Sequence, residues 1–322
     1  MDKFETEIYL RYKQIIQSSV ALAPKECMPE TRHVHMADLL DRYDAFCFDG
    51  YGTLYNRGSF VYSGAMDWFQ MLRRAGKHLR LVTNAASDID EVLARDADKR
   101  GFDFSTEETI SSGCLLRKLV ERLRRGECAD GNAAKPLELR EVYYIGRETG
   151  KHVLEACGIT AVAMNAEPAE PIVAISSAKD TPETYARAVK ILQRPGAILL
   201  VLNSDAWAPK IPDENGVTVR ESVSGALSER LRRDSMCDAN GGEGCKTYYL
   251  GKPFPQIWER VKASLPSGSR VLMIGDTLGT DVFGAKVAGF DSALVVGRNV
   301  PAAELEADES ALGIRPDYYL EP

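Results

Sequence analysis

The sequence predicts an α/β protein built on a parallel sheet and interrupted by a second, inserted α/β unit. Short apolar runs alternate with amphipathic stretches of roughly 10–15 residues, which is the pattern of strands and crossover helices in a parallel sheet. Polar side chains that can bind ligands directly follow several of these apolar runs. Two polar, loop-like breaks, at 127–136 and 235–245, divide the alternation into three parts.

The first part opens with a helix and then alternates between strands and helices. Apolar residues over 3–19 recur on one helical face, which predicts a helix packed on the domain surface. Ser87 is the predicted N-cap of a later helix, and Gly76 and Gly101 are predicted helix ends. The predicted strands are 44–49 and 78–84, and the further helices are 65–76, 87–101 and 112–126.

The same alternation continues in the second and third parts. Between the breaks, the sequence predicts strands at 141–146, 171–176 and 197–204, with helices near 150–157 and 182–193. After the second break, strands are predicted at 247–251, 270–276 and 293–297, as a return to the first domain. The predicted outer domain is therefore 1–127 together with 247–322, and the inserted domain is 128–246.

Composition limits the partners and the compartment. The 322 residues carry a net charge of −7 and the pI is near 5.4, which argues against nucleic acid or an anionic membrane as the main partner. No apolar run approaches the roughly 20 residues of a membrane span. Seven cysteines without a CxxC pair favour free thiols, although Cys237 and Cys245 could pair. We therefore expect a cytoplasmic protein.

Chemically useful side chains follow four of the predicted strands of the outer domain. Ligands of open parallel sheets bind beyond the carboxyl ends of the strands, so these residues are expected to converge on one rim. A carboxylate nucleophile, carboxylates for Mg²⁺ and donors for phosphate oxygens together indicate phosphoryl transfer. The converging residues are Asp49, Thr83, Asn84, Lys252, Asp276 and Asp281.

The order of these motifs resembles the haloacid dehalogenase-like (HAD) hydrolase superfamily, and within it the class IIA branch of 4-nitrophenyl phosphatase and pyridoxal phosphatase relatives. The resemblance implies a Rossmann-like core, an inserted class 2 cap that selects the substrate, and in many relatives a homodimer formed through the cap. It covers roughly 40–300, and four stretches carry it: DGYGTLYNRG, LVTNAAS, LGKPFP and MIGDTLGTDVFGAKVAGF.

The resemblance also implies roles for individual residues. Asp49 would take the phosphoryl group as an aspartyl phosphate, and Lys252 would neutralise charge between Asp49 and the phosphate. The cap segment LNSDAWAPK would bring Asp205 and Trp207 near the substrate, although a purely structural turn is an equal interpretation. Phosphate contacts are implied for Gly50, Gly52, Thr83 and Asn84. Mg²⁺ would be held by Asp49, the backbone carbonyl of Tyr51 and Asp276, with Asp281 in support.

Tyr51 departs from the family pattern, in which a second aspartate stands two residues after the nucleophile. That aspartate protonates the leaving group and then activates the attacking water. A tyrosine with an ordinary pKa near 10 is a poor base at pH 7. General acid–base catalysis contributes about 10²–10⁴-fold, so hydrolysis is predicted to be slow or specialised while phosphate binding is retained.

Three functions remain open at this stage. The favoured one is a phosphatase or phosphotransferase that acts on a small phosphorylated metabolite. The second is a non-catalytic protein that binds a phosphorylated ligand. The third is a 2-haloacid dehalogenase, whose first motif also reads D-x-Y-G-T but which lacks this cap and this GDxxxTD arrangement.

Overall fold

The structure is a computed structural model that describes residues 1–19, 31–127, 135–214, 218–235 and 245–321. Most of the two predicted breaks lies outside these ranges, as do Cys27, Cys128 and Cys237. The strands of the described residues, numbered in chain order, are β1 (Arg32–Val34), β2 (Ala45–Phe48), β3 (His78–Thr83), β4 (Thr109–Ser111), β5 (Glu141–Ile145), β6 (Thr160–Ala161), β7 (Ile172–Ile175), β8 (Ile198–Val201), β9 (Trp207–Pro209), β10 (Arg220–Ser222), β11 (Lys246–Tyr249), β12 (Val271–Gly275), β13 (Asp291–Val295) and β14 (Tyr318–Leu320).

The first sheet contains seven strands in the order β1-β14-β13-β12-β2-β3-β4, and every pair in it is parallel. Its inner strand β2 has the sequence AFCF and is buried on both faces, as expected for a strand covered by helices on both sides. The predicted α/β class with a parallel sheet is confirmed. The arrangement places the residues after β2, β3 and β12 side by side at one edge.

A second parallel sheet, in the order β11-β8-β7-β5-β6, is formed mainly by the middle of the chain. Here the structure corrects one prediction, because the strand of the TYYLG stretch pairs with β8 in this sheet and not with the first sheet. The apolar pattern of this strand fits either sheet, and only its pairing with β8 decides between them. A separate antiparallel pair, β9 and β10, lies between the strands β8 and β11 in the chain.

The helices alternate with the strands as the sequence predicts. One cap prediction is wrong: the helix predicted from Ser87 begins at Asp90 and has Ile89 at its N-cap. Gly76 and Gly101 follow helices with positive φ angles of 67° and 93°, which supports the predicted helix ends. The helices are α1 (Lys3–Ser19), α2 (Met36–Leu39), α3 (Ala65–Arg74), α4 (Asp90–Asp98), α5 (Leu116–Arg124), α6 (Gly150–Glu155), α7 (Pro182–Leu192), α8 (Ser224–Asp234), α9 (Pro255–Ala263), α10 (Phe283–Ala288) and α11 (Leu305–Leu312).

Helix α1 is buried more deeply than a helix packed on one domain surface. Ile8, Tyr9, Tyr12 and Ile16 are each only 1% exposed, and they share one hydrophobic cluster with residues of both sheets. The helix therefore joins the two α/β units. Within the described ranges, no helix combines the length and the apolar character needed to cross a bilayer.

Candidate active site

A cleft of about 520 Å³ lies where the carboxyl ends of the two sheets face each other. Asp49, Thr83 and Asp276 enter it from the ends of the first-sheet strands β2, β3 and β12. Ser177 and Asp205 enter it from the segments after β7 and β8 of the second sheet. The cleft is thus lined by both units, and the strand-end residues do converge as predicted.

Lys252 is held between two carboxylates. Its Nζ lies 2.6 Å from Asp49 Oδ1 and 2.7 Å from Asp281 Oδ1, and its side chain is only 2% exposed. The second oxygen of Asp281 accepts hydrogen bonds from the backbone amides of Asp276, at 3.1 Å, and Thr277, at 3.0 Å. Both Asp281 oxygens are therefore engaged in fixing Lys252 and the turn after β12.

Asp276 is the carboxylate with an unused oxygen. Its Oδ1 accepts a hydrogen bond from the Thr277 hydroxyl at 3.0 Å, and Asn299 donates to that hydroxyl at 2.6 Å. Its Oδ2 is buried without a hydrogen-bond partner among the residues that the structure describes. Gly52, with φ 101°, lies directly behind this oxygen, and a Cβ there would lie 1.9 Å from it. Only glycine fits at that position.

Electrostatically, the site has an excess of buried negative charge. Burial raises the pKa of Asp49 to about 7, although the charge of Lys252 opposes the shift. Burial, followed by the carboxylates of Asp49 and Asp281, raises the pKa of Asp276 well above its usual range. Burial acts to lower the pKa of Lys252, but the neighbouring carboxylates outweigh it and raise that pKa. One ammonium does not balance three buried acids.

These residues fit a divalent cation. Ligand oxygens of Asp49, Asp276 and Asp281 all lie within 4.8 Å of one another, and hard oxygen donors suit Mg²⁺. Asp276 Oδ2, which has neither a hydrogen bond nor an ion pair among the described residues, supplies a ready ligand, whereas Asp281 Oδ1 forms an ion pair with Lys252 and Asp281 Oδ2 accepts two backbone hydrogen bonds. A bound cation would also offset the buried negative charge.

Asn84 connects the first unit to the insert. Its Nδ2 donates to Asp205 Oδ1 at 2.8 Å and to the Lys252 carbonyl at 3.0 Å, while its Oδ1 accepts from the Lys252 amide at 2.7 Å. Ser204 also donates its hydroxyl to the Lys252 carbonyl. Burial raises the pKa of Asp205 to about 6, with Lys252 opposing the shift. The predicted substrate residue Asp205 is therefore also part of the support of Lys252.

Tyr51 lines the cleft but directs its hydroxyl at another acid. The hydroxyl donates to Asp96 Oδ2 at 3.3 Å, and the same carboxylate pairs with Arg100 at 2.8 Å. The Tyr51 ring packs edge-on against Tyr55, with the ring centroids 5.1 Å apart. Burial, followed by the charge of Asp96, raises the pKa of Tyr51, which leaves even less phenolate at neutral pH to act as a base.

The remaining predicted residues have different positions. Thr83 and Trp207 line the cleft, whereas the contacts of Gly50 and Gly52 are with Tyr55 and Asp276 on the wall behind it. Sequence reasoning missed several cleft residues, because one of them, Asp96, lies within helix α4 and the others stand in loops without a recognised motif. These are Asp96, Arg100, Arg147, Ser177 and Asn299. For Asn299 the only signal is its place four residues after β13.

Comparison with known proteins assigns the family. The family model for haloacid dehalogenase-like hydrolases matches residues 46–160, and a HAD-hydrolase-like model matches 249–321, so the two together span more than half of the chain. The chain belongs to the haloacid dehalogenase-like hydrolases. The predicted superfamily and its class IIA phosphatase branch are confirmed, as is the predicted class of enzyme, a phosphoric monoester hydrolase.

Three relatives illustrate this similarity. The 4-nitrophenylphosphatase of Schizosaccharomyces pombe is 25% identical over 303 residues, which cover 88% of this chain and 93% of that protein. A possible sugar phosphatase from Cytophaga hutchinsonii has the same fold, with a TM-score of 0.72, 22% identity and coverage of 91% of this chain and 98% of its own. The glycerol phosphate phosphatase of Mycobacterium tuberculosis, solved in complex with magnesium, has a TM-score of 0.63, 23% identity and coverage of 88% and 76%.

Proposed function

We propose that this protein is a Mg²⁺-dependent phosphatase or phosphotransferase that acts on a small phosphorylated metabolite through an aspartyl phosphate on Asp49. The carrying observation is the buried arrangement in which Lys252 bridges Asp49 and Asp281 beside the unpartnered Asp276 oxygen. The phosphatase relatives favour this function over a non-catalytic binding protein and over a haloacid dehalogenase.

In the first step, a carboxylate oxygen of Asp49 attacks phosphorus and the bond from phosphorus to the leaving oxygen breaks. Lys252 lies 2.6 Å from this carboxylate and is placed to neutralise the incoming phosphoryl oxygens. The Thr83 hydroxyl lies at the end of the neighbouring strand and can donate to another of these oxygens. The leaving group departs as an alkoxide or phenoxide that takes a proton from solvent or from the substrate itself.

Asp49, Asp276 and the Tyr51 carbonyl would hold the metal ion, with Asp281 supporting the turn. When bound, Mg²⁺ reduces the repulsion between a carboxylate nucleophile and a phosphate dianion. The magnesium complex of the Mycobacterium tuberculosis relative supports this choice of metal.

In the second step, water attacks the phosphorus of the aspartyl phosphate and regenerates the Asp49 carboxylate with release of phosphate. This step needs a base in most members of the family, and Tyr51 is a poor one because its pKa is raised and its hydroxyl donates to Asp96. Hydrolysis is therefore slow, or specialised for leaving groups that need no protonation and for acceptors other than water.

The segment 128–246 acts as the cap that selects the substrate, extended to Tyr249 because β11 pairs in the second sheet, with 1–127 and the residues after Tyr249 as the catalytic core. Asp205 and Trp207 reach the cleft from this segment, which supports a role for both in substrate contact. The cytoplasmic location and a homodimer formed through the cap stay predictions.

The first experiment is intact-mass analysis of the protein after incubation with acetyl phosphate and Mg²⁺, with free phosphate followed in the same tube. The matched control is Asp49→Asn, which keeps the volume of the side chain and removes the nucleophile. A phosphoryl adduct of wild type alone is expected, together with slow phosphate release. Release without an adduct would mean that the second step is not slow, which contradicts the role given to Tyr51.

If wild type forms no adduct and releases no phosphate, the phosphatase proposal itself is contradicted. Phosphate release by Asp49→Asn at the wild-type rate would contradict the assignment of the nucleophile. Release of chloride from 2-chloropropionate is measured with the same two proteins. Chloride release by wild type but not by Asp49→Asn would identify a dehalogenase.

A further inference from the structure

One side of helix α1 packs against the segments that carry Asp281 and Lys252. A Cβ at Gly279, in the turn that carries Asp281, would lie 2.3 Å from the Tyr9 ring, so this ring packs directly against the turn's backbone. The Tyr12 ring packs edge-on against Phe254, two residues after Lys252, with 5.1 Å between the ring centroids. The helix is therefore seated against the two backbone segments that carry Asp281 and Lys252.

The same two tyrosines bond to the insert. The Tyr12 hydroxyl donates to the Ser204 carbonyl at 3.0 Å, and the Ala206 amide donates to the Tyr9 hydroxyl at 3.4 Å. Because Tyr9 and Tyr12 are three positions apart, they lie on one face of the helix, and both bond to the short segment from Ser204 to Ala206. Asp205, the residue between these two bonded positions, reaches into the cleft.

Further contacts fix the strand pair that follows this turn. Glu5 is 1% exposed and pairs with Arg220 of β10 at 2.9 Å. The Phe4 ring meets the Trp207 ring edge-on with 6.1 Å between the centroids. Helix α1 thus holds the insert at four successive points, from Ser204 to Arg220.

The turn held by α1 leads directly to the catalytic lysine. Ser204 and Asn84 both donate to the Lys252 carbonyl, and Asn84 also bonds Asp205. The Tyr12 hydroxyl is therefore two hydrogen bonds from the backbone of Lys252. The groups that form this series of hydrogen bonds, from Tyr12 to Lys252, are buried or nearly so. Buried hydrogen-bond networks of this kind fix geometry, because a buried polar group that loses its partner costs free energy.

We propose that α1 is a positioning element of the active site, and that Tyr9 and Tyr12 are positioning residues that hold the 203–209 segment and, through it, Lys252. The inference rests on the proposed function, since Lys252 acts on the transferred phosphoryl group. It assigns a role to a helix that stands outside all the family motifs. It also explains why these two positions carry hydroxyls, since a phenylalanine would fill the same space but remove the hydrogen bonds of the Ser204 carbonyl and the Ala206 amide to helix α1.

The test compares Tyr12→Phe and Tyr9→Phe with Tyr143→Phe. Tyr143 is a matched control because it is 1% exposed and its hydroxyl also donates to a backbone carbonyl, that of Met164 at 3.3 Å, but it does not line the cleft. We measure kcat and KM for 4-nitrophenyl phosphate with Mg²⁺, the unfolding midpoint, and hydrogen exchange of peptides that cover 203–209.

Small displacements of a catalytic group reduce the rate steeply, so Tyr12→Phe is expected to lower kcat about tenfold while KM changes by less than about twofold. Exchange at 203–209 should become faster, and Tyr143→Phe should lower the unfolding midpoint similarly without changing kcat. An unchanged kcat in Tyr12→Phe, or equal losses of kcat in Tyr12→Phe and the control, would overturn the inference.

A wild type that does not hydrolyse the substrate would refute the proposed function alone. The exchange measurement then decides the inference by itself. Faster exchange at 203–209 in Tyr12→Phe than in both wild type and Tyr143→Phe supports it, and equal exchange in the three proteins overturns it.

Discussion

The two walls of the cleft differ in how their charges are held. On the first-sheet wall, Asp49 and Asp281 are buried and each pairs with the buried Lys252, which follows β11, so the positions of all three are set by the fold. On the insert wall, Arg147 and Lys179 are exposed and form no ion pair within the described ranges. Buried, mutually bonded groups suit the fixed chemistry of phosphoryl transfer, and exposed, adaptable groups suit the choice of leaving group.

The largest effect is expected at Tyr51 of the first-sheet wall, where the resemblance to the family predicts an aspartate. Tyr51→Asp should raise turnover of 4-nitrophenyl phosphate about 100-fold, because it supplies the missing acid and base. Steady-state kinetics check this, with Tyr51→Asn as a control that matches the size of aspartate but cannot ionise. An equal gain in both variants would show that the tyrosine ring obstructs the site and that proton transfer is not limiting.

The next largest effect tests whether the buried carboxylates of that wall bind the metal. Asp276→Asn should weaken Mg²⁺ binding by at least about tenfold, since even changes outside the ligand shell cost that much. Titration calorimetry measures the affinity. Asp44→Asn, a partly exposed site just before the opposite end of β2, is the control and should bind as wild type does. Wild-type affinity in Asp276→Asn would remove this residue from the metal site.

Glu5 tests whether burial can raise the pKa of a carboxylate outside the cleft even when that carboxylate is paired with an arginine. Burial raises the pKa of Glu5 to about 7, although Arg220 opposes the shift. The folded protein then holds this proton more tightly than the unfolded chain does. The stabilisation from Glu5 is therefore complete below about pH 4.5 and is lost as the pH rises through 7.

Chemical denaturation of wild type and Glu5→Gln at pH 5 and pH 8 checks this sign. Wild type should lose about 1–3 kcal/mol more between the two pH values than the variant does. Glu7→Gln, in the same helix but partly exposed, is the control. Parallel pH profiles for wild type and Glu5→Gln would contradict the raised pKa.

The smallest effect is expected on the insert wall. Arg147→Ala should raise KM for substrates with an anionic leaving group by no more than about fivefold, since exposed charge pairs contribute up to about 1 kcal/mol. Neither kcat nor the unfolding midpoint should change by much. Lys151→Ala, an exposed site outside the cleft that pairs with Glu148, is the control. A large fall in kcat would mean that Arg147 touches the reacting phosphoryl group.

The first-sheet wall could be predicted from the sequence because its residues follow apolar strands. Asp49, Thr83 and Asp276 stand at the ends of β2, β3 and β12, and parallel sheets bring such ends together. The pattern of α1 likewise predicts a helix. It could not predict that its apolar face lies between two units, because periodicity identifies a buried face and not its partner.

Contacts between distant segments account for the other differences. The bond between Asn84 and Asp205 joins positions 121 residues apart, and neither residue has a local signal for it. The strand Lys246–Tyr249 was assigned to the wrong sheet for the same reason, since its apolar run fits both sheets. Ser87 resembles an N-cap, but the helix begins three residues later at Asp90.

The pairing of β11 with β8 also limits how the protein can be re-engineered. Exchanging caps between relatives is an obvious way to transplant substrate preference, and a junction at 246/247 would be the natural cut from the sequence. That cut would divide β11 after its first residue and separate the rest of the strand from β8. A chimera joined after Tyr249 would move the whole second sheet as one piece. The edge strand of the second sheet ends only three residues before Lys252, so any exchange of the cap is joined directly beside the residue that pairs with Asp49 and Asp281.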